Sequence, residues 1–426
     1  MKAEIITIGD EILLGQTIDT NSAWLGLRLS EIGISVYQKT AISDDENHIL
    51  AALTEAHQRV DLIIITGGLG PTKDDITKHT LVKYFDTKLA IDQDVLQNIT
   101  SFFKLRGREM TEINIQQAAL PVNCQVLKNK RGSAAGMWFE SNGKVYISMP
   151  GVPYEMIGIM QDFGLDRIKS HFKTPNIVYK MIYTIGVGES FLAETIEDWE
   201  NRLRADGMKL AYLPAPGMVK LRVTFEHENK ELAEKKVKEK IDELMPLIQE
   251  HVYSLTNDKI EHVVGEILMQ KGKTLSTAES CTGGNIAHLI TSVPGASSYY
   301  IGSVLSYSND VKIAELDVDA LLIEKYGAVS EQVVTQLAKG ALKKFNTDYS
   351  IATTGIAGPT GGSDEKPIGT IWIAVASKNN VTTQLFKLGN NRSRNIQVAS
   401  LMALNMLRKE LLFVTEFASD IPYLPI

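Results

Sequence analysis

Four times along this chain of 426 residues a short apolar, β-branched run stops at a turn rich in glycine or hydroxyl side chains. The runs span 4–8, 61–66, 273–278 and 351–353, and the turns after them carry Gly9, Gly67-Gly68, Ser280 and Thr354-Gly355. Helix-like segments follow, over 76–85 after the second and over 285–292 after the third. Strand, turn, helix in that order builds a parallel sheet covered by helices, with the turns gathered at the carboxyl ends of the strands where ligands bind. The chain length allows two to three domains, each large enough to bury a core. The predicted architecture is α/β. Two three-layer α/β/α domains, over 1–170 and 257–426, flank a small α+β domain over 171–256.

The turn Thr277-Ala278-Glu279-Ser280-Cys281-Thr282-Gly283-Gly284 offers a hydroxyl between a strand end and a helix start. A serine there can aim its Oγ at a ligand, while the N–H groups that follow, at Thr282, Gly283 and Gly284, can receive an oxyanion or a phosphate. The other reading is a helix N-cap, which serine fills routinely. Two further clusters supply partners: Tyr307-Ser308-Asn309-Asp310-Val311-Lys312 and Thr354-Gly355-Ile356-Ala357-Gly358-Pro359-Thr360-Gly361-Gly362. Serine, tyrosine and lysine suffice for amide hydrolysis, because a desolvated lysine can accept the serine proton and a tyrosine can relay or orient it. His288 alone among the eight histidines is near Ser280 in sequence, and it falls well into the helix-like run, which disfavours a Ser-His-Asp triad. Cys281 is the rival nucleophile, or a packing residue. The loop from Thr354 to Gly362 is a candidate phosphate cradle or a set of ordinary turns, with Lys366 and Arg392 as candidate charge partners.

The strings TAESCTGG, SYSNDVK, GAVS at 327–330, TGIAGPTGGSDEKPIGT at 354–370 and GNNRSRN at 389–395 resemble the C-terminal domain of the competence/damage-inducible CinA family, over 258–413. That domain is a nicotinamide mononucleotide deamidase. The resemblance implies Ser280 as nucleophile, Lys312 as base and Tyr307 as assistant, with no cofactor. It implies a substrate site made by Thr282, Gly283, Gly284, Thr354, Gly355, Gly358, Gly361, Gly362, Lys366 and Arg392. Where the family commonly has Gly-Asp-Arg, this chain reads Gly389-Asn390-Asn391-Arg392.

The first half carries a separate set. Asp10 and Glu11 follow Gly9, and Asp74 and Asp75 follow the loop Gly67-Gly68-Leu69-Gly70-Pro71-Thr72-Lys73. Neither segment has the spacing of a Walker loop or a dinucleotide fingerprint. Carboxylates beside a glycine loop repel a phosphate unless a divalent cation lies between, and oxygen ligands of this kind suit magnesium. The alternative for Asp74 and Asp75 is a helix N-terminus that favours acidic residues through its dipole. GDEILLGQTIDTN at 9–21, TGGLGPTKDDIT at 66–77, NKRGSAAG at 129–136 and MPGVPYEM at 149–156 resemble the molybdopterin-binding-type domain of the same family, over 1–165. In full-length members this domain is associated with metal-dependent ADP-ribose pyrophosphatase activity. The resemblance implies a cation held by Asp10, Glu11, Asp74 and Asp75, and a nucleotide held by Asn21, Gly67, Gly68, Gly70, Thr72 and Thr77. Lys130 and Ala135 stand where the family usually has proline, which loosens that loop.

Between these ends, 177–185, 210–213 and 219–227 read as strands and 191–204 and 230–250 as helices, an order that resembles the family's KH-like domain. No GXXG loop and no aromatic-basic stripe accompany it, and a net charge of −7 gives no general attraction to nucleic acid. A spacer role is therefore expected there. Gly186-Val187-Gly188-Glu189-Ser190 matches the family without a clear chemistry. No apolar run approaches the ~20 residues of a membrane span, and the first strand starts without a signal-peptide pattern, so a cytoplasmic protein is expected. Cys124 and Cys281 fall in different expected domains, which argues against a disulfide. A homodimer is the default oligomer. Nicotinamide mononucleotide and ADP-ribose are the expected small-molecule partners, and a non-catalytic molybdopterin- or nucleotide-binding regulator is the alternative.

Overall fold

The computed structural model describes residues 1–413 except 73, 74, 173, 175 and 258. The chain divides into two compact units, Met1–Tyr179 with Phe225–Lys236, and Lys180–Thr224 with Val237–Ile426.

The first unit is built on a six-stranded sheet in the order Ser35–Ile42, Lys2–Ile8, Leu62–Thr66, Lys144–Met149, Gly136–Ser141, Gln125–Leu127. The first four strands pair in parallel, and each of the last two joins its inner neighbour by an antiparallel pairing. Leu62–Thr66, sequence LIIIT, is buried at every position, as a central parallel strand covered on both faces must be. Alternate residues feed opposite faces: Ala3, Ile5, Leu62 and Ile64 join Leu25, Leu29 and Met156, whereas Ile6, Ile8, Ile63 and Ile65 join Ile49, Leu53 and Leu81. Those two cores bring helices Thr20–Glu31 and Pro153–Ile159 onto one face and Glu46–Arg59 and Thr77–Tyr84 onto the other. At about 1.5–3 kcal/mol for each fully buried aliphatic side chain, these faces dominate the stabilisation.

The second unit repeats the plan with a five-stranded sheet in the order Tyr300–Leu305, Leu275–Glu279, Tyr349–Gly355, Thr370–Ser377, Val381–Lys387. The first three strands are parallel and the last two antiparallel. Ile371, Ile373 and Val375 pack with Leu268, Ile286 and Leu404 on one face, and Ala374 and Ala376 with Val334 and Leu337 on the other. Helices Ile260–Lys271, Asn285–Thr291 and Arg392–Phe413 form one outer layer, and Asn309–Leu316 and Glu331–Phe345 the second. The small four-stranded sheet has the order Lys209–Ala215, Met218–His227, Asn176–Ile185, Val252–Ser254.

Two α/β/α domains and a small α+β domain are thus the architecture. The helix expected over 191–204 is two, Glu189–Thr195 and Glu197–Ala205. Ile196 interrupts it, leaving helical geometry at φ −108° and ψ 10° while its side chain is fully buried. Both Cys124 and Cys281 are free thiols. Among the described residues, no helix is long and apolar enough to cross a membrane.

Candidate active site

Strand Leu275–Glu279 pairs in parallel with Tyr300–Leu305, with Glu279 opposite Leu305, so the residues just beyond the two ends, Ser280 and Ser306, emerge side by side. Ser308 caps the following helix by accepting from Val311 N–H, and one turn on Lys312 turns back over the strand ends. Its Nζ lies 2.7 Å from Ser306 O, 3.1 Å from Tyr307 O and 3.3 Å from Ser280 Oγ. Lys312 is 2 % exposed and Ser280 8 %. Burial holds the ammonium pKa below its ordinary 10.5, opposed by the neighbouring Cys281. Protonated, Lys312 donates to all three oxygens. Neutral, it keeps two N–H bonds to the carbonyls and turns its lone pair to the Ser280 hydroxyl, which is the arrangement of a base on a nucleophile.

The serine is not the helix cap. That task falls to Glu279, a fully buried carboxylate that the sequence places in the turn without a role and the structure makes the last residue of the strand. Its Oε2 accepts from Thr282 Oγ1 at 2.7 Å and from Gly284 and Ile286 N–H at 3.1 Å each, and its Oε1 accepts from Ala287 N–H at 2.8 Å. One anion therefore gathers the turn and the first turn of helix Asn285–Thr291, where the backbone dipole favours it. Gly283 and Gly284 sit at φ 63° and 91°, the left-handed region a side chain avoids, which lets the chain fold back over the carboxylate. Among the described residues, the Cys281 and Thr282 N–H groups have no hydrogen-bond partner. Cys281 is buried, and burial pushes its thiol up to about 12, so it stays protonated and packs. His288 is exposed on the helix.

Tyr307 reaches Lys312 through its carbonyl oxygen, not its phenol. The ring is 63 % exposed, and its hydroxyl accepts from Arg392 at 3.4 Å. Arg392 also donates to Gly358 O at 2.9 Å, so it ties the third cluster to the second. Asn395 holds the same loop by donating to Ala357 O and Gly389 O. Gly358 and Gly361 both have φ 91°. Thr354 and Lys366 meet a different need. Thr354 Oγ1 donates to Ala328 O at 2.8 Å and Lys366 Nζ to Tyr326 O at 2.6 Å, tying the loop to the segment 326–330. Gly355 and Gly362 are packed close: a Cβ would stand 2.7 Å from Ile371 Cγ1 at the first and 2.8 Å from Ile368 N at the second.

In the first unit, a cleft of about 500 Å³ is lined by Glu11, Asp44, Gly67, Gly68, Gly70, Asp75 and Glu155 among others. A Cβ on Gly67 would stand 2.1 Å from Ile8 O, and one on Gly68 2.1 Å from Thr77 Oγ1, so the loop closes tightly on the first strand and on helix Thr77–Tyr84. Asp75 accepts from Thr72 N–H at 2.8 Å and Thr72 Oγ1 at 2.5 Å and so closes its own loop rather than capping that helix. Asp74 lies outside the described residues. Asp44, absent from the sequence-predicted set, accepts from Asp10 N–H at 3.2 Å. Its carboxyl is pushed up by burial and by the charges of Asp10, Glu11 and Asp75, all negative, against that one hydrogen bond. Asn21 donates to Thr66 Oγ1 and Gly151 O, but among the described residues its Oδ1 and Thr77 Oγ1 are buried with no partner. Among the described residues, no three acidic, histidine or cysteine groups converge as a metal site. The acidic side chains lining the cleft, Glu11, Asp44, Asp75 and Glu155, offer oxygen alone, the ligand type a hard divalent cation takes.

Three family models match in succession: a probable molybdopterin binding domain over residues 4–170, a damage-inducible protein CinA KH domain over 179–254, and a CinA C-terminal domain over 257–411. A CinA-like protein of Cytophaga hutchinsonii is 50 % identical, over 96 % of this chain and 98 % of its own length. A putative competence-damage inducible protein of Caldicellulosiruptor saccharolyticus is 40 % identical, over 97 % of this chain and all of its own. The solved competence/damage inducible protein CihA of Agrobacterium tumefaciens is 37 % identical, over 37 % of this chain and 98 % of its own, at a TM-score of 0.35. With three consecutive domain matches and relatives aligned from end to end, the chain belongs to the CinA family.

Proposed function

We propose that the C-terminal domain hydrolyses the carboxamide of nicotinamide mononucleotide to the carboxylate, releasing ammonia, in pyridine-nucleotide salvage. The observation that carries this reading is the buried Lys312 Nζ placed 3.3 Å from Ser280 Oγ with two carbonyls taking its other hydrogens. Ser280 Oγ attacks the carboxamide carbon as its proton passes to Lys312 Nζ. The oxyanion that forms is met by the Cys281 and Thr282 N–H groups. Collapse breaks the C–N bond, and the proton on Lys312 leaves with the nitrogen as ammonia. Water, deprotonated by the same lysine, then attacks the acyl-serine and restores the hydroxyl. Arg392, which donates to Gly358 O and Tyr307 Oη, and the Gly358–Gly362 backbone are the groups assigned in this reading to the phosphate monoester. Lys366, already bonded to Tyr326 O, serves that loop by bracing it.

For the N-terminal domain the proposed reaction is hydrolysis of a nucleoside diphosphate sugar of the ADP-ribose type. The mutual repulsion at Asp44 and the unpartnered Asn21 Oδ1 and Thr77 Oγ1 support it. A divalent cation held by Asp10, Asp44 and Asp75, with Glu11 and Asp74 in reach by sequence, would neutralise the diphosphate and polarise phosphorus. Gly67 to Gly70 would approach the phosphates with backbone alone.

One assay tests both. The full chain is incubated with nicotinamide mononucleotide and with ADP-ribose, with and without EDTA, and ammonia and AMP are measured separately. Chelation stops AMP release and leaves ammonia release intact. Equal loss of both in a chain still folded by circular dichroism overturns the two-site reading, and absence of both products leaves the binding-protein alternative.

A further inference from the structure

A second cationic group in this unit is buried without an anion among the described residues. Arg408, on the long helix Arg392–Phe413, is 7 % exposed. Among the described residues its guanidinium makes one hydrogen bond, Nε to Asn405 Oδ1 at 3.0 Å, and no ion pair. Desolvation alone brings its pKa down to about 10. A guanidinium carries five N–H donors, and a buried charge without a counter-charge costs several kcal/mol. Beside it opens a cleft of about 600 Å³ lined by Pro246, Leu247, Gln249, Glu250, Arg408 and Lys409. Glu250, the acid on that wall, is 77 % exposed and lies 3.4 Å from His251 Nε2, not on the arginine.

We propose that this cleft is an anion site in which Arg408, with Lys409 at the rim, binds a carboxylate or phosphate group. The fork geometry of the guanidinium favours two-point recognition of such a group. The cleft sits far along the helix from Arg392, so it is separate from the candidate deamidase centre. Two sources present this chemistry: a free anion, or the carboxylates of this chain's own Glu416 and Asp420.

The test uses full-length protein, inorganic phosphate as probe and potassium chloride at matched ionic strength as control, reading the thermal midpoint as phosphate is raised. With a free anion as occupant, the wild-type midpoint rises saturably, and Arg408→Met abolishes the rise. With the chain's own carboxylates as occupant, wild type is unresponsive, the Glu416→Gln/Asp420→Asn variant responds, and adding Arg408→Met to it removes the response. Arg408→Lys keeps the charge without the fork and weakens phosphate at least about tenfold, which decides the matter if the methionine variant does not fold. No response in either background, or a response that survives loss of Arg408, overturns the proposal.

Discussion

Both ends of the chain set a glycine turn after a parallel strand, and they complete it in opposite ways. In the C-terminal domain every charged group at the turn is answered from within: Glu279 by four donors, Lys312 by three acceptors. In the N-terminal domain the charges of three other carboxylates help push the Asp44 carboxyl up, and among the described residues Asn21 and Thr77 keep buried oxygens without partners. The first turn holds its chemistry ready in the protein alone. The second presents groups that the described residues leave unbalanced, which the proposed cation and diphosphate would answer. A nucleophile needs pre-organisation before substrate arrives, whereas a diphosphate site can be finished by its own ligand and cation.

The contrast breaks most readily at the serine. Ser280→Ala and Lys312→Ala are each expected to lower ammonia release from nicotinamide mononucleotide by roughly 10³-fold or more, with the double variant no worse than either, because the pair acts as a unit. Cys281→Ala should retain most activity. A dead Cys281→Ala beside an active Ser280→Ala would move the nucleophile to the thiol. On the other side, Asp44→Asn and Asp75→Ala should each cut AMP release from ADP-ribose by roughly 10²-fold, an expectation set by the loss of one oxygen ligand, while ammonia release is unchanged. If Asp44→Asn cleaves ADP-ribose at the wild-type rate, the acidic cluster is not where the reaction happens.

Asp44 also shows where sequence stops being legible. The glycine turns, Ser280 and Lys312 could be read because strand, turn and helix are local patterns. Asp44 belongs beside Asp10 only because Ile8 pairs with Ile42 across parallel strands, so each aspartate stands two residues past the same rung of the ladder. Register between parallel strands is a non-local property that no spacing encodes. Glu279 was hidden differently, as a charged residue in the turn beside Ser280, where spacing assigns it no partner. Tyr307 and Lys366 were read as chemical groups, yet the first meets Lys312 by its backbone and the second spends its charge on a carbonyl.

Smaller effects sharpen the comparison. Glu279→Ala leaves four donors facing an apolar gap and should cost about 3 kcal/mol in urea unfolding. Glu279→Gln should cost less, roughly 1–2 kcal/mol, since its NH2 would oppose Ala287 N–H. An unchanged midpoint in both variants means the carboxylate does not organise the turn.

The pH dependence is the mildest test. Because only neutral Lys312 accepts the proton, deamidation should rise up to tenfold per pH unit below a folded-state pKa that burial sets under 10.5, then level off. The sign for stability is the same. With the folded pKa below the unfolded one, the cost of burying the ammonium is full below the folded value and is relieved as pH rises towards 10.5. A rate that is flat from mildly acidic to alkaline pH removes lysine as the titrating base.

The knot around Glu279 has a consequence in time as well as in space. Glycine-rich turns ordinarily open on their own and exchange their amide hydrogens quickly, long before the core does. Here the amides of Gly284, Ile286 and Ala287 end on one carboxylate, so none can open without releasing an uncompensated charge into the interior. Their hydrogens should leave together and late, with those of the central strands. The segment that bears the proposed nucleophile then belongs to the slowest-opening part of its domain, and the fluctuations that would admit the proposed substrate fall to the loop carrying Gly358 and to the start of helix Arg392–Phe413 that is bonded to it.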